Sequence, residues 1–527
     1  MARDSLRQAI VKRLLSAGCQ ISPDALSSII DLEAPMKFLD CIVDLAIASG
    51  KSVITGEIID RMRKSDEDIL RSHSLTTSDV NEDHDLKAAA HRAEEPITII
   101  STPTDDSVGS AGELEDFMEL FRDRFRRLSR IYRSRVDTMS AVLPTAVESS
   151  ERNLRTPMVA GTYSRRPVQV VLGMVREKTV SRSGNIILVL EDEESTMTCI
   201  VPSNRADQTG RTLMQKGTSL LLDEVVCVVG RTDDGGRFIA DDILFPDIPT
   251  SRKKGRSKRS VYAAFVSDLH FGSDKFLEDD FDRFLHWMCG KDVDSSDKEI
   301  VRNTEYLFIA GDLCDGVGVY PDQERDLAIL NLEDQYRQLA DKIRSLPERI
   351  KVICIPGNHD ASRQALPRPP VLRMFANPLY ELGGRIVMLG DPSYVLVEGV
   401  TVLLTHGDVL DDLVIQIPGV TYRSPENGMR ELLKKRHLSP IYGGKTELAP
   451  ISRDWMVIER VPDIVHFGHA HHNAVDTYRG VLMVNSGTFQ AQTEFMKKQG
   501  VEPTPGIVTF VDLHTCEPVL RFFHEYH

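Results

Sequence analysis

Large apolar residues recur at helical spacing from the start of the chain. Leu6, Ile10, Leu14 and Leu15 share one helix face that stops at Gly18, and Ser22 followed by Pro23 supplies an N-cap with proline at the first helical position. A third helix carries Phe38, Leu39, Ile42, Val43 and Leu45 and ends at Gly50, and Thr55 caps a fourth. Residues 1–65 therefore predict an N-terminal helical bundle, an interaction module rather than an enzyme. Between 66 and 112 Ser, Thr, Asp, Glu and Pro take over, and large apolar residues become too few to offset the entropy of ordering. That stretch is expected to be a disordered acidic linker.

Helical spacing returns in residues 113–160. Phe117, Leu120, Phe121, Phe125 and Leu128 line one face, and Arg122, Arg126, Arg127, Arg130, Arg133 and Arg135 gather along the later turns. The arginines read either as a solvated basic face or as a contact for phosphate or an acidic partner. From 161 to 250 the period falls to two. About five short strands, broken at Ser183-Gly184-Asn185 and Asp234-Gly235-Gly236, predict an OB-fold β-barrel. Its acidic Glu191, Asp192, Glu193 and Glu194 and its scarcity of aromatics suit a structural or subunit contact at least as well as a nucleic-acid strand. Residues 251–260 form a basic tether, in which Arg252, Lys253, Lys254, Arg256, Lys258 and Arg259 either bridge two domains or guide DNA toward the next one.

Within residues 261–527 the apolar runs end repeatedly in side chains able to hold a metal. VYAAFVSDLHFG closes on Asp268 and His270, which strand alternation would point to one side. YLFIAGDLCDG ends in Asp312 and adds Asp315; IKVICIPGNHDAS ends in Asn358, His359 and Asp360. TVLLTHGDVL ends in His406, and DIVHFGHAHHN in His469 and His471. Helix-compatible stretches such as LEDDFDRFLHWMC fall between the early strands, giving a βαβ rhythm, with all-β stretches later. Ligands in such folds collect beyond the carboxyl ends of the strands, where Gly311, Gly357 and Gly468 allow sharp turns. One such cluster is weak evidence; five at five strand ends predict a metal site. His466 and His472 read as structural histidines, and Trp287 and Trp455 as core or partner anchors. Asp315 is either a neighbour of the metal cluster or a turn cap, and Asp360 either orients His359 or is an ordinary loop acid.

At 527 residues the chain exceeds one hydrophobic core, so two to four domains are expected. No apolar run approaches the roughly 20 residues that span a bilayer, and the first residues lack a signal-peptide core, so a cytoplasmic protein without membrane contact is expected. Eight cysteines without a C-x-x-C pair indicate neither a disulfide framework nor a zinc knuckle. A net charge of −15 excludes a general nucleic-acid coat and confines any DNA contact to a local patch.

The order D-x-H, GDxxD, GNHD, THG, GHxH over residues 261–527 resembles the calcineurin-like metallophosphoesterase superfamily. That resemblance implies a two-sheet αββα sandwich holding two divalent metal ions, so the expected fold class is multidomain α+β: helical bundle, OB-fold barrel, phosphoesterase sandwich. Carried onto this chain, it puts Asp268, His270 and His471 on one metal, Asn358, His406 and His469 on the other, Asp312 across both, and His359 beside them as acid for the departing oxygen. Mn2+ is the first choice, and Mg2+, Fe2+ or Zn2+ also suit O and N donors.

The whole arrangement resembles the small-subunit family of archaeal family-D DNA polymerases, within the wider B-subunit family of replicative polymerases. The resemblance implies a 3′→5′ proofreading exonuclease acting on DNA with a single-stranded or mismatched 3′ end. It also implies a large catalytic polymerase subunit as heterodimer partner, with a sliding clamp as a further candidate. A double-strand-break nuclease and a non-catalytic structural B-subunit are the alternative readings. Residues from about Arg166 onward are expected to suffice for assembly with the large subunit.

Overall fold

The computed structural model describes residues 20–21, 53–54, 97–147, 167–204, 208–233 and 237–525. Two compact units meet in sequence between Glu94 and Glu95. In the first, Gln20–Ile21 pairs in parallel with Val53–Ile54; otherwise the expected helical bundle of residues 1–65, and the expected linker up to residue 96, lie outside the described residues.

The second unit opens with β1 (Ile97–Ser101), and here the linker expectation fails. Ile97, Thr98 and Ile99 pair antiparallel with Val397, Leu396 and Val395, so a short β-branched run inside a polar stretch becomes an edge strand. Helix α1 (Leu114–Arg133) follows. Its Leu128 and Tyr132 are buried against Leu172, Met174 and Cys227, as the apolar stripe predicts. The arginines of this helix divide between burial against acidic groups and solvent. Arg124 is wholly buried, donating Nε–H to Asp454 Oδ2 at 2.6 Å. Arg127, 8% exposed, pairs with Asp123 at 3.1 Å and Glu459 at 3.0 Å. Arg126 and Arg130 remain in solvent.

Five strands close a barrel: β2 (Gln169–Val180), β3 (Ile186–Glu191), β4 (Thr196–Val201), β5 (Val225–Thr232) and β6 (Phe238–Leu244), in the order β2-β3-β4-β6-β5. Helix α2 (Gln208–Thr218) adds Leu213 to the barrel core. Gly184 (φ +82°) makes the β2–β3 turn; the 234–236 turn lies outside the described residues. The basic stretch after the barrel is not a free tether. Arg252 pairs with Asp463 at 2.7 Å, Arg259 with Glu305 and Glu398, and Ser257 N–H donates to Leu513 O at 2.8 Å.

Strands β7 (Tyr262–Val266), β8 (Thr304–Ala310), β9 (Lys351–Ile355) and β10 (Ile386–Met388) run parallel. A second set comprises β11 (Ser393–Val397), β12 (Val400–Leu404), β13 (Ile464–Phe467), β14 (Ala474–Tyr478) and β15 (Val481–Asn485). The last two are β16 (Ile507–Asp512) and β17 (Glu517–Phe522). They form two six-stranded sheets, ordered β10-β9-β8-β7-β16-β17 and β14-β15-β13-β12-β11-β1. Phe265, Phe308 and Ile353 of the first share a core with Val402, Leu404 and Ile464 of the second. Helices α3 (Glu278–Met288) and α4 (Leu332–Arg344) cover the first sheet's other face through Phe281, Phe284, Tyr336 and Leu339. Helices α5 (Leu410–Gln416) and α6 (Pro425–Lys435) do the same for the second sheet through Leu410, Leu413, Met429 and Leu432. The central strands read as unbroken apolar runs because both of their faces are covered. Trp287 sits in the first of these cores, and half-buried Trp455 packs beneath the Arg453 guanidinium. Among the described residues no helix is long and apolar enough to cross a membrane.

Candidate metal centre

Each strand delivers its first donor two or three residues past its end: Asp268 after Val266, Asp312 after Ala310, Asn358 after Ile355, His406 after Leu404, His469 after Phe467. Strand alternation therefore does not aim these side chains, contrary to the sequence argument for Asp268 and His270. A different device does. Asp268 (φ 51°), His270 (51°), Asp312 (50°), His469 (65°) and His471 (54°) all adopt left-handed backbone. Such conformations cost about 1–3 kcal/mol each away from glycine and persist only where surrounding contacts over-determine them. Here Asp268 N–H donates to Gly311 O at 3.0 Å, His270 N–H to Asp312 O at 3.1 Å, and His469 N–H to Asp268 Oδ1 at 3.1 Å. Two glycines make the approach possible: a Cβ on Gly357 would overlap Asp312, and one on Gly468 would overlap Asp268.

Asp268, His270, Asp312 and His471 are buried, with ligand atoms all within 4.8 Å of one another. His270 donates Nδ1–H to Asp315 Oδ1 at 2.8 Å, which turns Nε2 toward the centre of the cluster. That Nε2 faces His471 Nε2 at 3.1 Å and Asp312 Oδ2 at 3.6 Å. On the other side His406 donates Nδ1–H to Ala310 O at 2.8 Å, and its Nε2 stands 3.0 Å from Asn358 Oδ1 and 3.4 Å from Asp312 Oδ2. His469 Nδ1 lies 3.2 Å from the same amide oxygen, and its Nε2–H is held by Asp411 Oδ1 at 3.0 Å. Ring nitrogens thus converge on Asp312 Oδ2 and Asn358 Oδ1 from both sides, and the buried Nδ1 of His471 has no partner among the described residues. Buried carboxylates this close together call for positive charge among them, carried by protons on His270 and His406 or by cations in their place. The donor set of carboxylate, amide oxygen and imidazole fits divalent metals.

The electrostatics agree. Burial pushes the Asp312 carboxyl up, but His406 and His359 outweigh it and hold the group well below its ordinary range. Burial depresses His270, yet Asp315 and Asp312 lift it to about 9. The same contest raises His406 well above the usual imidazole value, with Asp312 the main opponent of burial. The pocket favours positive charge at its centre.

His359 lies beside this cluster. Its Nδ1–H donates to Asp315 O at 2.8 Å, leaving Nε2 as the ring's remaining polar atom, and the residue lines a cavity of about 320 Å³ with His270, Asp312, Asn358, His469 and His471. Burial lowers its basicity. Asp315 is the partner of His270 rather than a turn cap. Asp360 does not orient His359: it accepts from Leu313 N–H at 3.1 Å, Gly357 N–H at 2.9 Å and Tyr336 Oη–H at 3.0 Å, stapling two loops together. His466 points away to Ser486 Oγ at 2.8 Å, and His472 to Glu502 O at 3.1 Å. None of the basic residues from Arg252 to Arg259 lines the cavity.

Sequence reasoning missed Asp411, which fixes His469 and is itself held by Tyr422 Oη at 2.8 Å. It also missed buried Arg368, which joins Asp408 to Asp391, whose Oδ2 in turn accepts His406 N–H at 3.2 Å. The only signal was the acidic run Asp408, Asp411, Asp412 straight after His406.

Residues 263–476 match the family of B subunits of DNA polymerase alpha/epsilon. The DNA polymerase II small subunit of Archaeoglobus fulgidus is 38% identical over 502 residues, covering 95% of this chain and 94% of the relative. That of Halobacterium salinarum is 36% identical over 85% of this chain and 82% of its own length. The Methanothermobacter thermautotrophicus small subunit is 32% identical over 95% and 96% respectively. With likeness running through nearly the whole of both chains, this protein belongs to the archaeal DNA polymerase II small-subunit family.

Proposed function

We propose that this chain is the 3′→5′ proofreading exonuclease subunit of an archaeal DNA polymerase, hydrolysing phosphodiester bonds at a two-metal centre beside a large polymerase subunit. The observation that carries the reading is Asp312 Oδ2, which lies between His270 Nε2 at 3.6 Å and His406 Nε2 at 3.4 Å, each ring turned toward it by the bond at its own Nδ1. On this reading the two-sheet unit is a calcineurin-like αββα phosphoesterase, the five-stranded barrel is an OB fold, and the protein works in the cytoplasm on unpaired or mismatched 3′ ends.

Asp268, His270 and His471 would hold one cation, Asn358, His406 and His469 the other, and Asp312 both. Bound divalent cations supply an acidified water as nucleophile and offset charge on the phosphoryl oxygens. The neutral amide of Asn358 limits the negative charge of the donor set and keeps the site open to a phosphodiester anion. Asp315, Asp411 and the Ala310 carbonyl fix the tautomers of His270, His469 and His406. His359, anchored through Nδ1, would give the Nε2 proton of its doubly protonated ring to the departing O3′ and be left neutral with the Nδ1–H still on Asp315 O.

The reading is tested on the purified chain with a 5′-labelled single strand in Mn2+. Stepwise shortening from the 3′ end, stopped by EDTA, is expected. A folded, metal-loaded chain that shortens no strand would leave the non-catalytic B-subunit.

A further inference from the structure

The cavity beside Asp312 has features that the proposed chemistry leaves unused. Helix α7 (Glu494–Gln499) is capped by the Thr493 side chain, which accepts Met496 N–H at 3.2 Å; it buries Met496 and leaves the neighbouring Phe495 69% exposed on the cavity wall. Tyr320 lines the same cavity, its hydroxyl fixed to Asp326 at 3.1 Å and its ring edge-on to His359 at 6.5 Å. Among the described residues Lys445 is the only lysine or arginine on the wall. Its loop is fixed from behind: Asp412 accepts Lys445 N–H at 2.7 Å and Thr446 N–H at 2.9 Å, and Gly444 packs so closely that a Cβ there would overlap the carboxylate. The lysine side chain itself remains exposed.

An exposed aromatic face, a presented ammonium and a cation-seeking centre around one small space match the three parts of a nucleotide: base, backbone phosphate and scissile phosphate. The volume, about 320 Å³, is at the small end of ligand pockets and has room for one nucleotide rather than a base pair. We propose that Phe495 is the stacking surface for the unpaired terminal base and that Lys445 binds a phosphate oxygen of the same strand, so that the cavity itself selects frayed ends over duplex ends. Stacking of this kind tolerates any base, since every base offers a π face. The proposal rests on the phosphodiesterase reading above.

The test measures binding of the full chain, in EDTA, to fluorescein-labelled single strands that differ only in the terminal nucleotide, intact or abasic. The native chain is expected to bind the intact end about tenfold more tightly. Phe495→Ala, at an exposed position, should bind both within about twofold of each other. Lys445→Ala should weaken both alike, and Lys445→Arg should restore them. The stacking assignment is overturned if Phe495→Ala keeps the native preference, or if the native chain shows no preference or binds neither strand. A Lys445→Ala variant that binds like the native chain overturns the phosphate contact. Because this assay needs neither metal nor turnover, failure of hydrolysis would defeat the phosphodiesterase reading and leave this result standing on its own.

Discussion

Asp312 turns Oδ2 to within 3.4 Å of His406 Nε2, while Nδ1 of that ring is tied to Ala310 O, so the ring is aimed at the carboxylate in a buried space. The same oxygen faces His270 Nε2 at 3.6 Å. Asp312→Asn removes the charge shared by both sides while preserving shape. Both metal equivalents are expected to fall in elemental analysis of the purified protein, and strand shortening to drop at least about 10³-fold. Two retained metals with full activity would remove Asp312 from the bridge.

His359 makes a contrasting prediction, because its ring is anchored outside the cluster by Asp315 O at 2.8 Å. His359→Ala should keep near-native metal content and lose about 10²-fold or more in rate, the usual scale for an acid-base group. A steep loss of metal would make it a ligand instead.

The donors were legible in the sequence because an apolar run followed by Asp, Asn or His is a local pattern. Asp268, Asp312, Asn358, His406 and His469 lie around one buried space past those strand ends. What aims them was not legible: the left-handed backbone at Asp268, His270, Asp312, His469 and His471 is set by loop-to-loop hydrogen bonds that no spacing encodes. Burial of Arg124 was hidden for a related reason, since its counter-charge Asp454 lies 330 residues away. An arginine in an arginine-rich helix reads as solvated until that partner is in place. The strand Ile97–Ser101 was lost inside a polar stretch because an edge strand needs only five residues once a sheet is there to receive it.

Away from the metal centre, buried His437 donates Nε2–H to Asp454 Oδ2 at 2.9 Å and accepts Ser439 N–H through Nδ1 at 3.1 Å, so it is neutral in the fold. Burial, with Arg124 nearby, lowers it from 6.5 to about 4 despite the opposing pull of Asp454. Between those two values the unfolded chain binds the extra proton, so stability falls as pH falls through the window. From pH 7 to pH 5 this one group should remove about 2 kcal/mol. In urea titrations, His437→Gln should show a smaller drop in unfolding midpoint between those pH values than the native chain. An equal drop would mean that His437 is protonated in the fold.

The N-terminal boundary for a working fragment follows from β1 and α1. Sequence alone suggested that residues from about Arg166 suffice, which would make Ser140 a safe starting point. A chain starting at Ser140 lacks Ile97–Ser101, and so exposes the edge of β11, where Val395 and Val397 are fully buried. It also lacks Arg124, the arginine ion-paired with Asp454, and Arg127, which bonds the Asp454 carbonyl; stripping one partner from a buried ion pair costs about 3–5 kcal/mol. Tyr132, whose hydroxyl bonds Val225 O at 3.1 Å and Leu244 O at 2.9 Å, goes with them and opens the side of the barrel. A chain starting at Glu95, where the second compact unit begins, keeps all of these contacts. The Glu95 fragment should therefore purify as a folded monomer and melt with the second unit of the full chain, whereas the Ser140 fragment should melt at least about 10 °C lower or precipitate. Equal melting temperatures for the two fragments would show that β1 and α1 are accessory. Failure of the Glu95 fragment alone would move the missing support into residues 1–94.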